Sequence, residues 1–176
     1  MSLLSRFLDI GRSGGDEPKW PESVREIARR LEGRGPERAR FLAAFAYVLA
    51  RVAHADLRVD PAEIAEMERS VGGLGGLDDE DARLVVEIAV TQAADLGGSD
   101  DYLVTREFRR ISDRKERVRL MRCLFSLAAA DDSISTAETN ELSLIGEELG
   151  FARNETNSLR SEWRDKLAEL RKLPKG

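Results

Sequence analysis

One stretch of this chain is written twice, and that limits the folds open to it more than any single residue does. Asp131 lies 75 positions after Asp56, and Glu138 lies 75 positions after Glu63. At the same offset Leu49, Ala53, Ala55, Ala62 and Glu66 meet Leu124, Ala128, Ala130, Ala137 and Glu141. Leu74-Gly75, Glu80 and Leu84 meet Leu149-Gly150, Glu155 and Leu159 further on, with no gap. Such a repeat points to one supersecondary unit copied and packed against its twin.

Each copy reads as helix, short turn, helix, turn, helix. Pro36 suits a first helical position, and in the segment after it Phe41, Phe45, Val48 and Val52 recur at helical spacing, widened by Leu42 and Leu49. Asp60, Pro61 and Glu63 form a capping-box pattern, and "GGLGG" ends that helix with the glycines a C-terminal cap uses. Asp78 to Asp81 open a third helix with the acids that a helix N-terminus favours. In copy two, Ser135 and Glu138 repeat the capping pattern, and Leu159, Trp163, Leu167 and Leu170 make the closing stripe. Outside the repeats, "WPESVREIARRLEGRG" predicts a helix burying Val24, Ile27, Ala28 and Leu31, and "YLVTREFRRI" a short helix joining the copies. Gly11, Gly14 and Gly15 suggest a flexible link. No segment alternates at period two long enough to predict a strand. The expectation is an all-α helical bundle of two helix-turn-helix repeats related by a pseudo-two-fold axis. Residues 1–35 form an N-terminal segment with a short amphipathic stretch, the link and one helix. Residues 36–176 form the main domain, with repeat one at about 36–95 and repeat two at about 111–172.

Composition narrows the function classes. With 33 acidic against 28 basic residues the net charge is −5, which does not favour nucleic acid in bulk. One cysteine cannot form an internal disulfide or a thiolate zinc cluster. No apolar run approaches the ~20 residues of a membrane-spanning helix, and "MSLLSRFLDIGRSGG" is a poor secretory signal. The cytoplasm is the expected location. The amphipathic Leu3, Leu4, Phe7, Leu8 and Ile10 would allow peripheral contact with the inner membrane, although packing on the bundle or on another protein is the stronger expectation.

The pattern A-D-x-x-[IV]-x-x-x-E-x-x-E, carried twice in an all-helical chain, resembles the TerB-like family of tellurite-resistance proteins. "RCLFSLAAADDSISTAETNELSLIGEELGF" carries the resemblance most strongly, and "YVLARVAHADLRVDPAEIAEMERSVGGLGG" is its weaker twin. The resemblance covers roughly residues 36–160. It implies a compact bundle with pseudo-two-fold halves, an acidic surface region linked to metal, and a role in bacterial stress responses without established enzymatic activity. Related domains at the N-terminus of membrane-anchored DnaJ-like co-chaperones imply a docking role. The family usually has glycine after the motif aspartate, where this chain has Leu57 and Asp132.

The candidate site follows from the repeated acids. On an EF-hand register Asp131 and Glu138 would stand at the fifth and twelfth positions, but Leu127 and Ala129 would then fall where ligands are needed. The turn is not an EF-hand. A different arrangement stays open, in which the dyad brings Asp56, Glu63, Glu66, Asp131, Glu138 and Glu141 together around Ca²⁺ or Mg²⁺, the hard cations that oxygen ligands suit. The plainer alternative makes Glu63 and Glu138 capping residues and leaves Glu66 and Glu141 solvated on their helices.

Other residues tempt less. His54, the single histidine, has Ala129 as its repeat counterpart, so the duplicated unit does not require it. Cys123 stands on a buried-looking face, where a thiol behaves as a small hydrophobe. From Arg106 to Arg122 eight basic residues face three acids, which reads as a solvated face or as a surface for an acidic protein, membrane or nucleic-acid backbone. The expected function is a non-enzymatic, TerB-like stress-response module that binds a protein partner of unknown identity, with cation binding at the acidic turns. No specific nucleic-acid partner is expected, and homodimerisation stays open. The alternatives are a metal-free helical scaffold and, less well supported, a metal-dependent hydrolase.

Overall fold

Helix α1 (Pro36–Val52) begins where its residues demand. Gly35 turns the chain at φ +82°, and Pro36, with no N–H to leave unpaired, takes the first helical position. From Phe41 to Val52 every residue is buried, the signature of a helix enclosed on all sides. This exceeds the single face that the large apolar residues predict. Ala43, Ala44, Ala46 and Ala50 are buried too, since side chains this small let further helices close over the remaining faces.

The computed structural model describes residues 29–53, 61–93, 101–130 and 133–164, and every regular element within them is helical. After α1 come α2 (Pro61–Gly75), α3 (Asp79–Ala93), α4 (Asp101–Ile111), α5 (Arg114–Ala128), α6 (Thr136–Glu148) and α7 (Arg153–Ser161). Helix α1 packs against α3, α4, α5 and α6; α2 lies on α3 and α5, and α7 closes on α5 and α6. The N-terminal amphipathic stretch, its glycine link, Val24, Ile27, Ala28, His54, Asp56, Asp60, Asp131, Leu167 and Leu170 lie outside the described residues. Among the described residues no helix is long and apolar enough to cross a membrane.

The order of three helices recurs as α1-α2-α3 and α5-α6-α7, with α2 and α6 starting at residues 61 and 136. Helix α2 crosses onto α5, and α6 crosses onto α1. The third helices differ. Helix α3 has 15 residues and lies along α1, whereas α7 has nine. Beyond Ser161 the backbone tightens, with Trp163 N–H donating to Arg160 O at 3.0 Å, and the Trp163 ring stacks on Phe125 at 5.5 Å. The two halves are similar in order and unequal in packing.

Helix ends follow local chemistry. Asp113 and Glu116 form a full capping box on α5, as Ser135 and Glu138 do on α6. Helix α6 ends in a Schellman motif: Phe151 N–H reaches Gly146 O at 2.9 Å, Gly150 N–H reaches Glu147 O at 3.0 Å, and Gly150 sits at φ +85°. Gly146 itself is set by packing. A Cβ there would lie 2.6 Å from Thr156 Oγ1, a buried hydroxyl with no hydrogen-bond partner among the described residues. Gly146→Ala should therefore destabilise by about 1–3 kcal/mol despite alanine's better helix propensity. Thr156→Ala alone should be close to neutral, and combining the two should recover most of the loss in urea unfolding. An additive double variant would show that this contact does not decide the position.

Candidate functional site

An arginine inside the apolar run of α1 organises the polar centre of the bundle. The Arg51 side chain is 4% exposed, a position that a guanidinium tolerates only when its donors are satisfied. Its Nε and Nη2 donate to Glu141 Oε1 at 3.1 and 2.6 Å. Its Nη1 donates to Glu148 Oε2 at 2.6 Å and to Thr105 Oγ1 at 2.8 Å. One side chain thus joins α1, α4 and α6. Burial works against the Arg51 charge, but the hydrogen bonds and charges of Glu148 and Glu141 outweigh it and raise the pKa above the ordinary arginine value.

The other end of α1 carries the mirror arrangement, a buried acid between arginines. Asp81, in the first turn of α3, accepts from Arg38 Nε and Nη2 at 3.0 and 2.7 Å and pairs with Arg34 at 3.2 Å. Asp78 caps that helix by accepting from Asp81 N–H at 2.8 Å. The central helix is therefore held near both ends by ion clusters of opposite central charge.

The repeated acids that are described have distinct surroundings. Glu138 is a capping residue: its Oε2 accepts from Ser135 N–H at 2.8 Å, while Ser135 Oγ accepts from Glu138 N–H. Glu141 belongs to Arg51 rather than to solvent. Glu66 is exposed and pairs with Arg69 at 2.6 Å along α2. Glu63 is exposed in the first turn of α2. Asp56 and Asp131 fall outside the described residues. Among the described residues no group of three or more His, Cys, Asp and Glu side chains is placed to hold a metal ion. Glu141 and Glu66 each face an arginine, Arg51 and Arg69.

Periodicity alone passed over Arg51, Thr105, Glu148 and Asp81. A signal for the first was present, because an arginine between Ala50 and Val52 breaks an otherwise apolar segment. In the basic stretch, Arg110 pairs with Glu107, Arg114 with Glu155 and Arg122 with Glu162, and the last two pairs reach across to the second repeat's end. The Arg119 guanidinium lies over Gly76, and the Arg109 guanidinium lies over Gly150, covering the glycines that end α2 and α6. Cys123 is buried, and burial pushes its thiol up to about 12, the condition of an inert core residue.

An all-helical bundle of this order, with a central helix pinned by ion clusters and a capping box at the start of α6, defines the class. The family model described as Tellurite resistance protein TerB matches residues 42–161, from early α1 to the last residue of α7, and the chain belongs to that family. It is thereby a tellurite-resistance-related module. Searches of curated proteins and of solved structures give no match.

Proposed function

We propose that this TerB-family protein is a non-enzymatic binding module of a stress response, whose task is to hold a protein partner. The observation that carries the reading is the condition of its enclosed polar and thiol groups. Arg51, Glu148 and Asp81 join helices to one another, and Cys123 is buried and stays protonated at neutral pH. A catalytic acid or base must instead be free to exchange a proton with substrate, and a nucleophile must reach it. The reading keeps the module in the cytoplasm, at most peripheral to the inner membrane.

A divalent cation, Ca²⁺ or Mg²⁺, is the second part of the proposal, and Glu138 favours it. Its cap engages Oε2, so Oε1 can still serve as a ligand. Glu141 and Glu66 fit poorly, since each faces an arginine. The ligand set is then Asp56, Glu63, Asp131 and Glu138, all hard oxygen donors. Calorimetric titration of Ca²⁺ and Mg²⁺ into the full chain tests this. Glu138→Gln keeps the capping geometry, because glutamine also reaches back to the cap, yet removes the charge. It should abolish the binding heat, while Glu141→Gln should leave it intact. No heat in the unaltered protein rejects the cation, and equal loss in both variants rejects the division of roles. Neither cation should support turnover of phosphoester or peptide panels; turnover abolished by substitutions in the acidic turns would overturn the non-enzymatic reading.

A further inference from the structure

On α4, Tyr102, Thr105, Arg106 and Arg109 recur at i, i+3, i+4 and i+7, which places them along one stripe. Thr105 anchors the inner edge of that stripe by accepting from Arg51. On α6, Glu141, Leu144 and Glu148 recur at i, i+3 and i+7, and the outer two also bind Arg51. Leu144 therefore lies between two glutamates directed at the α1–α4 side. Arg109, lying over Gly150 at the end of α6, closes the same seam one turn further on.

What this seam presents to solvent is unusual for the molecule. Tyr102 and Leu144, 46% and 47% exposed, are the exposed large hydrophobic residues of the described chain. Single exposed apolar residues are ordinary, but here a tyrosine and arginines, residue types enriched in binding hot spots, share a seam with an exposed leucine. Arg106 and Arg109 are exposed, and neither has a carboxylate within 4.0 Å among the described residues. Lys115 and Arg119 on α5 are likewise exposed with no carboxylate within 4.0 Å among the described residues, but Arg106 and Arg109 share their seam with exposed large apolar side chains. In a chain with more acid than base, two neighbouring cations with no carboxylate partner among the described residues are complementary to acid from elsewhere.

We propose that the α4–α6 seam is the partner-binding surface, and that its partner is an acidic amphipathic protein segment. Apolar side chains of that segment cover Tyr102 and Leu144, and its carboxylates pair with Arg106 and Arg109, whose planar guanidinium groups suit bidentate carboxylates. A membrane fits less well. Two arginines attract a plane of anionic headgroups by only about 1 kcal/mol each, and a continuous plane must also meet Glu141, one-third exposed on the same seam, whereas a protein segment can set its carboxylates on Arg106 and Arg109 and apolar side chains elsewhere. The proposal rests on the partner-binding reading above and adds where the contact is made and with what chemistry.

Photo-crosslinking in cells tests it on the full chain. A benzoylphenylalanine replaces Tyr102 or Leu144, and, as controls, Arg83 on α3 or Asn157 on α7. The expected result is a protein adduct from the first two positions only, whose cross-linked segment carries net negative charge by mass spectrometry. A synthetic peptide of that segment should bind the unaltered protein and lose about tenfold in affinity with Arg106→Glu. Arg106→Gln should lose less, and both variants should keep the parent melting temperature. Adducts from the control positions alone would overturn the surface and leave the partner-binding reading standing. No protein adduct from any position would count against that reading itself. An adduct with lipid, nucleic acid, a basic segment or a second copy of this chain would overturn the partner's chemistry.

Discussion

Arg51→Leu should lower the unfolding free energy at pH 7 by about 3–5 kcal/mol, the range for removing one member of a buried ion cluster. Leucine fills much of the volume, so the loss comes mainly from charge. Glu148 is 13% exposed and loses its cation outright, while Glu141 faces it with nothing between them. Glu141→Gln should cost less, about 1 kcal/mol, because Arg51 retains Glu148 and Glu141 is partly screened by water. Urea unfolding of both variants at pH 7 measures the difference. A loss under about 1 kcal/mol for Arg51→Leu would mean that the three helices do not depend on the guanidinium.

Phe108→Ala should cost about 3–5 kcal/mol by the cavity and transfer terms that accompany loss of a fully enclosed aromatic ring. The ring is 0% exposed and packs against Phe41 at 5.3 Å and Phe45 at 5.9 Å. The effect should be uneven across the molecule. Among the described side chains, helix α4 is otherwise anchored by Val104, the partly buried Ile111 and the Thr105 hydroxyl on Arg51. Its amides should exchange with solvent at much lower opening free energy than those of α2 and α3, which are packed on each other. Hydrogen exchange that accelerates equally in α2, α3 and α4 would place Phe108 in one cooperative core instead of at a detachable helix.

How much of this was legible in the chain depends on the kind of interaction. Helix positions came through because caps act locally: Ser135 and Glu138 satisfy each other's N–H groups across three residues, whatever lies around them. The glycine that ends α2 in "GGLGG" was readable for the same reason, since the left-handed turn Gly76 makes is a property of one residue. The enclosure of α1 was only half legible, because alanines such as Ala43 and Ala46 suit a surface or a core and only the packed neighbours decide. Glu141 was the instructive case. Its helix position was correct, but its partner Arg51 is 90 residues away, and no local pattern links them. The same holds for Asp81, whose spacing reads as an ordinary first-turn acid and whose burial depends on Arg34 and Arg38. The repeat register carries Glu141 onto Glu66, and the two differ in surroundings because α1 brings an arginine to one and Arg69 meets the other along its own helix.

Arg51 holds Glu141 and Glu148, and a double-mutant cycle between Arg51→Met and Glu148→Gln measures that link. Close, desolvated charge pairs give coupling energies from about 1.5 kcal/mol upward, and a value in that range, unchanged by EDTA, Ca²⁺ or Mg²⁺, is the predicted result. Additive losses, with stability that depends on a cation and loses that dependence in Glu141→Gln, would contradict it.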